Sequence, residues 1–314
     1  MKTVIALLAL LAGGTTWGQI PAVTPTAGGA TSFEVTLESG YLAGYSQYKI
    51  SGSDSVWGSW ESRLEWPLDC LLTGGKAVLV CSGGKYVATV SFLTNLTDDP
   101  GELRDYDWVA GEKTSKGVVD TSLEAHILDL NLYWNMVRKP RFTLGLGLGY
   151  TWQHFSWDGD SELTQTEYDS AYNRAGGITP GTYHYPRELW ITYRIDYHMP
   201  YLGVRAAARP SELVELTGEG RLLLVIAHDR DDHVQRQKLS KTDYAGAGVE
   251  IEATVILHPT EWCRLGAFLQ GSLLTAEGDQ DQDFYDGSGL RFSGIEAEAK
   301  SLQGYAGLEA GVTF

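Results

Sequence analysis

Two acidic clusters hold the residue types that acid–base chemistry needs. The first contains Asp105 and Asp107, and the second contains Asp229, Asp231 and His233. In extended backbone alternate side chains point to the same face, so each cluster presents its members together. Two carboxylates that face an Asp–His pair could hold a water molecule, with His233 as general base and Asp231 orienting its imidazole. The pattern indicates a hydrolytic site wherever the fold brings the two clusters face to face.

Solvated acidic loops and a carboxylate-rich Ca²⁺ site are the plainer interpretations of such clusters. The run Asp279–Asp283 also has alternating aspartates, but an EF-hand loop requires glycine where Phe284 stands and glutamate where Leu290 stands. The sequence has no nucleophile-elbow, zinc-protease or P-loop motif. Ser122 and His126 fall in one strand without a third partner. We therefore predict no metal site and no organic cofactor.

The start of the chain predicts export. Residues 1–18 have the pattern of a signal peptide, with one lysine, a short apolar run and small residues before an approximate cleavage point. Residues 19–31 are expected to form a short N-terminal segment. After the signal peptide no run of about 18 apolar residues occurs, so no transmembrane helix is predicted. The net charge of −16 argues against a nucleic-acid partner and favours cationic ones.

Period-two alternation indicates the fold class. Between 142 and 152 the even positions are apolar or aromatic, and the odd positions are glycine or threonine. The run 128–136 alternates in the same way, and a short turn joins the two runs. Such runs predict ten strands, at 32–50, 55–71, 76–96, 121–138, 141–157, 187–208, 213–228, 239–258, 262–276 and 296–314.

Three features favour a membrane barrel over a soluble sandwich, which also alternates. Aromatic residues lie near the strand ends, as in an interfacial girdle, and the chain ends in an alternating strand closed by Phe314. Very short connections (138–141, 209–212, 258–261) alternate with long polar ones (97–120, 158–186, 277–295). The sequence therefore predicts an all-β fold over 32–314: a ten-stranded antiparallel transmembrane β-barrel. Its strands exceed the 9–11 residues that cross a bilayer, so it is expected to project beyond the outer leaflet.

The three cysteines leave one pairing open. Cys70 and Cys81 lie close enough in sequence to form a disulfide in an oxidising compartment, which would leave Cys263 unpaired. Three free thiols are the equally weighted alternative.

At the two acidic clusters the sequence resembles the omptin family, the ten-stranded outer-membrane endopeptidases of Gram-negative bacteria. Omptins carry an Asp-x-Asp-Trp segment in the second loop and an Asp-x-Asp-x-His segment in the fourth, which are similar to 105–108 and 229–233 here. The segments 62–66, 191–203 and 258–260 resemble the family's second strand, sixth strand and last periplasmic turn. The resemblance covers nearly the whole mature chain, and the order of these motifs makes it specific.

The resemblance implies that Asp231 and His233 form a catalytic dyad, with Asp105 and Asp107 as the opposing acidic couple. A water between them would attack the scissile carbonyl directly, as in an aspartic-type endopeptidase. The family cleaves beside basic residues, and Asp229 matches an acidic group that contacts the P1 side chain. The implied partners are peptide or protein substrates with basic residues, together with outer-membrane lipid and lipopolysaccharide. The implied active site faces the extracellular side of the outer membrane.

Two positions depart from the family pattern. The family's second acidic P1 contact falls at Tyr48, so we predict that Tyr48 binds substrate with an altered preference for arginine, because it lacks a carboxylate's charge. The family's lipopolysaccharide-binding arginine falls at Asp196, with Arg194 two residues away on the same strand face. The lipopolysaccharide requirement that the family implies is therefore left open.

A catalytically silent barrel of the same fold, acting as an adhesin or surface-binding protein, is the main alternative function. Its acidic mouth would attract cationic partners without any chemistry. A lipid-modifying barrel enzyme would need a Ser–His pair that faces the lipid, and a passive pore would need a wider lumen than ten strands leave. The positions of the four proposed catalytic side chains in space distinguish a protease from a binding barrel.

Overall fold

The structure, a computed structural model, describes residues 31–314. The predicted signal peptide, and residues 19–30 of the predicted N-terminal segment, lie outside the described residues. The strands are β1 (Ser32–Asp54), β2 (Gly58–Pro67), β3 (Cys70–Cys81), β4 (Tyr86–Asn95), β5 (Gly101–Val109), β6 (Glu112–Lys139), β7 (Phe142–Gly159), β8 (Leu163–Glu167), β9 (Gly181–Tyr185), β10 (Ile191–Ala208), β11 (Val214–His233), β12 (Lys238–Leu257), β13 (Cys263–Phe284) and β14 (Arg291–Thr313). A short helix, α1 (Ala171–Ala175), and a 3₁₀ turn (Val234–Arg236) lie between strands. Within 31–314, no helix has the length and apolar character to cross a membrane.

The strands close into a ring of ten wall positions. β14 pairs with β1, and from β14 the path runs through β13, β12, β11, β10, β7 and β6. β2 and β3 together make one wall strand, interrupted at Leu68 and Asp69, and both pair with β1. β4 and β5 make the next wall strand, and both pair with β6. The predicted ten-stranded antiparallel barrel is confirmed.

The two ends of the barrel differ. The lower end carries the connections at 82–85, 140–141, 209–213 and 258–262. The upper end carries the connections at 55–57, 110–111, 160–190, 234–237 and 285–290. β6 has 28 residues and β11 has 20, well above the 9–11 that cross a bilayer, so the upper part projects beyond the membrane.

The first turn at the lower end lies at 82–85 and not at the predicted 72–75. Both stretches contain a Gly-Gly pair, so the local sequence does not distinguish them. Gly74 stays within β3, where the carbonyl oxygen of Phe92 passes so close that a Cβ would clash with it. Gly83 and Gly84 instead have φ values of 62° and 82°, which the turn needs and which glycine adopts without strain.

Because the turn lies at 82–85, the two cysteines that could have formed a disulfide are on one continuous strand. Cys70 and Cys81 lie at opposite ends of β3. Eleven residues of strand span roughly 36 Å, far beyond the reach of a disulfide. Both residues, and Cys263, are free thiols.

The barrel wall below the upper end has an apolar outside and a polar inside. Leu222 and Leu224 point outward from β11 and are 69% and 54% exposed, as lipid-facing residues must be in a barrel without its bilayer. At the same level Arg221 points inward, with Nη1 3.1 Å from Asp129 and 2.9 Å from Glu250. Such ion pairs fill the lumen and leave a cavity of about 130 Å³.

A layer of stacked aromatic rings separates this polar lumen from the upper end. The rings of Trp66 and Tyr193 lie 5.0 Å apart and almost parallel, and Tyr48 stacks on Tyr193 at 5.8 Å. Trp157 lies 5.6 Å from Trp66 and donates its Nε1 hydrogen to the carbonyl of Pro67 at 2.7 Å. All four side chains are almost fully buried. They form a rigid floor beneath the open upper end.

Gly149 is a position where the barrel wall has no room for a side chain. A Cβ there would clash with the carbonyl oxygen of Leu130 and the ring of Tyr201. We expect Gly149→Val to lower the free energy of unfolding by about 1–3 kcal/mol, measured by urea unfolding of the refolded protein. Gly220→Val is the control, since a Cβ at Gly220 meets nothing within 4 Å. Equal stability of the two variants would contradict this account of the packing.

Candidate active site

The second acidic cluster lies at the top of β11, above the apolar band. Asp229, Asp231 and His233 point inward, because the alternation that turns Leu222 and Leu224 toward lipid continues along the strand. The three side chains are buried, and Asp231 is fully inaccessible. Nε2 of His233 lies 3.0 Å from Oδ2 of Asp231. The carboxylate therefore holds the imidazole, whose Nδ1 is left to exchange a proton.

The first acidic cluster lies on a strand and not in the loop expected at 97–120. That stretch forms the hairpin of β5 and β6, which turns at Ala110 and Gly111 with φ values of 52° and 80°. Asp105 and Asp107 point inward from β5. Ser115 of β6 donates its hydroxyl hydrogen to Oδ2 of Asp107 at 2.6 Å. Oδ1 of Asp105 is buried and has no hydrogen-bond partner among the described residues.

Asp105 and His233 line the same cavity across the barrel. β5 is four wall positions away from β11 in the ring of ten, so the two strands lie on facing walls. The cavity between them has a volume of about 290 Å³. Its upper wall includes the hairpin of β8 and β9, where β8 pairs with β6 above the end of β7. The other polar and aromatic lining residues include Gln165, Glu167, Tyr185, Trp190 and Arg236.

The acidic couple on β5 holds a proton at neutral pH. Burial, followed by the charge of Asp107, raises the pKa of Asp105 to about 8. The cations Arg236 and Lys238 oppose this shift without cancelling it. Neighbouring carboxyl groups in a buried site favour a state in which one of them is protonated. Asp105 can therefore give up a proton during a reaction.

The Asp231–His233 pair has the opposite protonation state, because it is ready to accept a proton. Burial lowers the pKa of His233, and Asp231 offsets only part of this effect, so the imidazole is neutral at neutral pH. Burial alone would raise the pKa of Asp231, but His233, Lys238 and Tyr48 together hold it below its usual value. A charged carboxylate beside a neutral imidazole is the state that a general base requires.

Asp229 lies two residues below Asp231, near the aromatic floor. Tyr193 and Tyr244 donate their hydroxyl hydrogens to its Oδ2 at 3.2 and 2.7 Å. Its Oδ1 is buried, with no hydrogen-bond partner in the part of the chain that the structure describes. Burial raises the pKa of Asp229 to about 7. A buried acceptor in this state suits a cationic side chain, which would restore its charge.

Tyr48 lies directly beneath the Asp–His pair. Its hydroxyl donates to Oδ2 of Asp231 at 3.2 Å and accepts a hydrogen bond from Nε2 of Gln280 at 3.2 Å. The sequence pattern predicted Tyr48 as a substrate contact but not Gln280, which lies in the run of alternating aspartates at 279–283. Alternation turns those aspartates outward, so the inward glutamine could have been found from strand parity alone.

Comparison with known proteins gives the family and the fold of the chain. The model of the Omptin family matches residues 30–256. The chain belongs to the omptin family. A search of curated proteins gave no match to this omptin. Among solved structures it is similar to the outer membrane protease OmpT from Escherichia coli, with 18% identity, a TM-score of 0.77, and coverage of 90% of this chain and 97% of that one. It also matches Ail, the attachment invasion locus protein of Yersinia pestis, with 10% identity, a TM-score of 0.26, and coverage of 90% and 98%.

Family membership and the barrel make this omptin a bacterial outer-membrane protein of the omptin protease type. Asp196, which the resemblance aligns with the family's lipopolysaccharide-binding arginine, points outward at the upper edge of the apolar band. Its Oδ1 lies 2.8 Å from Nδ1 of His154 and accepts a hydrogen bond from Nε1 of Trp152 at 3.3 Å. Arg194 is exposed on the same face, two residues higher. The carboxylate at this position is thus already paired with neighbouring side chains.

Proposed function

We propose that this omptin is an endopeptidase that hydrolyses peptide bonds beside basic residues. A water between the Asp231–His233 pair and the Asp105–Asp107 pair would be the nucleophile. The observation that carries the proposal is the shared cavity, because side chains from two distant segments of the chain line it from facing walls.

The opposite protonation states of the two pairs give a balanced hydrolysis. Neutral His233 takes a proton as the water oxygen attacks the carbonyl carbon, and Asp231 stabilises the imidazolium that forms. The tetrahedral intermediate then collapses, the C–N bond breaks, and the amine takes the proton of Asp105. Transfer of a proton from His233 back to Asp105 restores the starting state. No acyl-enzyme forms, since the oxygen that attacks comes from water.

The position of the site also suggests how the barrel is oriented in the membrane and which lipids it contacts. The site lies above the apolar band, in the part of the barrel that projects beyond the membrane and carries the long connection 160–190, so we propose that it faces the extracellular side. Outer-membrane lipid surrounds the band below it. Lipopolysaccharide is a candidate activator, but the pairing of Asp196 with His154 gives its phosphates a weaker site than an arginine would.

The test is hydrolysis of fluorogenic peptides by the refolded full chain, with and without added lipopolysaccharide. We expect cleavage of a peptide with a dibasic core, and little cleavage of a matched peptide in which citrulline replaces arginine. Binding of the cationic peptide without cleavage under either condition would favour the adhesin alternative and reject the protease.

Asp229 is expected to make substrate binding depend on pH. Its carboxyl is protonated in the free protein below about pH 7, and a cationic P1 side chain binds the ionised form. KM for an arginine peptide should therefore rise by up to about tenfold per pH unit as the pH falls below 7. Asp229→Asn should raise KM about 10- to 100-fold and remove this pH dependence. Both effects are measured as initial rates across pH.

The control for this prediction is Asp232→Asn. Asp232 points outward on the same strand and accepts a hydrogen bond from Tyr285 at 2.8 Å, away from the cavity. We expect its KM to equal that of the wild type at every pH. If Asp229→Asn left KM for the arginine peptide unchanged, another residue would have to contact the P1 side chain.

A further inference from the structure

Lys238 is a buried cation in the site that the mechanism above does not use. It begins β12 directly opposite His233, with which it forms a register pair. Its side chain is 9% exposed, and it points inward like Ser240 and Thr242 farther along the strand. Lys238 is thus a buried, inward-pointing cation on the strand next to His233, at the same level of the barrel.

The amine of Lys238 has no ion-pair partner within 4 Å among residues 31–314. Other lysines of the barrel differ: Lys49 and Lys76 have glutamate oxygens 2.7 Å away. Burial of an ammonium group costs several kcal/mol unless the site compensates for it. The carboxylates of Asp231, on one wall, and of Asp107, on the other, supply that compensation from a distance.

Charged groups from both acidic pairs act on Lys238. Asp231 and Asp107 attract it, as does Asp105 when it is ionised, whereas the guanidinium of Arg236 repels it. Burial and Arg236 lower the pKa of Lys238, and the three carboxylates oppose them. In return, the charge of Lys238 helps to keep His233 neutral. The cation is therefore coupled to both halves of the proposed site without being neutralised by either.

We propose that Lys238 is a further catalytic residue, whose ammonium group holds the oxygen of the scissile carbonyl and stabilises the negative charge that develops there. This inference rests on the proposed function. When water attacks, the π electrons of the C=O bond move to the oxygen, and an N–H of Lys238 donates a hydrogen bond to it. The same electron pair reforms the C=O bond as the C–N bond breaks. Lys238 keeps its proton throughout, while His233 and Asp105 carry the proton transfers.

The test compares Lys238→Met, Lys238→Arg and the control Lys241→Met, because Lys241 points outward and is exposed on the same strand. We expect Lys238→Met to lower kcat about 100-fold, as loss of an oxyanion donor does, with KM within about threefold of wild type. The pH at which kcat falls on the acid side should move upward in this variant, because loss of a neighbouring positive charge raises the pKa of His233. Lys238→Arg should recover at least about a tenth of the wild-type kcat, and Lys241→Met should retain all of it.

Circular dichroism and the heat-dependent gel mobility of a folded barrel monitor refolding of each variant. Lys238→Gln keeps a polar group at this position, and we expect the same fall in kcat for it if the methionine variant does not refold. A kcat within threefold of wild type in either neutral variant, or a rise in KM alone, would overturn the proposal for Lys238 and leave the protease intact. A wild-type protein that cleaves no basic peptide would instead overturn the proposed function, and the Lys238 proposal with it.

Discussion

Replacement of His233 by alanine is expected to lower kcat by about 10⁴ while the barrel stays folded. The neutral imidazole is the group that takes the proton of the attacking water, and general-base catalysis contributes up to about this factor. Asp229, which we propose binds the cationic P1 side chain, is unaltered in this variant. KM should therefore change little. Single-turnover hydrolysis of a dibasic peptide, with circular dichroism of the refolded variant, measures both effects.

The sharpest control is His228→Ala. His228 is on the same strand as His233 but points outward, with Nδ1 2.5 Å from Asp243. It shares the chemistry of His233 but lies outside the cavity, so the variant should keep the wild-type kcat. Equal losses in the two variants would show that removal of any imidazole from β11 disturbs folding. Full activity of His233→Ala would exclude the Asp–His mechanism.

The pH dependence of the wild-type rate should show the titration of His233. The pKa of His233 lies below its ordinary value, because burial disfavours the imidazolium. The base form therefore persists below pH 6.5, and activity should be lost only as the pH falls through the lowered value. A rate that rises steadily toward pH 4 would contradict a histidine base.

The alternation of side chains predicted the barrel and the common direction of the three residues of the second cluster, because the face to which a strand residue points depends only on its place in the alternation. The predicted strand ended at 228, whereas β11 continues to His233 and carries the cluster into the barrel. Asp229 and His233 point inward for the same reason that Leu222 points to lipid. The position of the first turn at the lower end could not be predicted from the nearby residues alone. Gly74 and Gly83 are equally good turn residues, and the choice between them depends on the pairing of β3 with β1 and β4.

The partners of the site residues were beyond the reach of the sequence for another reason. Tyr48 and Asp231 are 183 residues apart, and their contact depends on how far each strand is displaced along its neighbour around the ring. The alternation along each strand shows that both side chains point inward, but it does not show whether they lie at the same level of the barrel. Lys238 was overlooked because a lone lysine after an acidic loop has no motif, although its register with His233 follows once β11 and β12 are joined by a tight connection.

Asp105→Asn is expected to lower kcat by about 10³, with KM within about threefold of wild type. A protonated carboxyl and an amide have the same shape and are both neutral, so the change removes the proton that reaches the leaving amine and little else. Because the protonated form of Asp105 is the active one, wild-type kcat should fall as the pH rises through about 8. The residual activity of the variant should lack this basic limb.

Asp107→Asn separates proton donation from a general need for negative charge on β5. Asp107 is one of the groups that raise the pKa of Asp105, so its neutralisation should move the basic limb to lower pH and leave a measurable kcat. Asp120→Asn, an exposed carboxylate on β6 of the same hairpin, should change neither. A wild-type kcat in Asp105→Asn would mean that the amine leaves with a proton from elsewhere. An unmoved basic limb in Asp107→Asn would mean that Asp105 is not the group that titrates there.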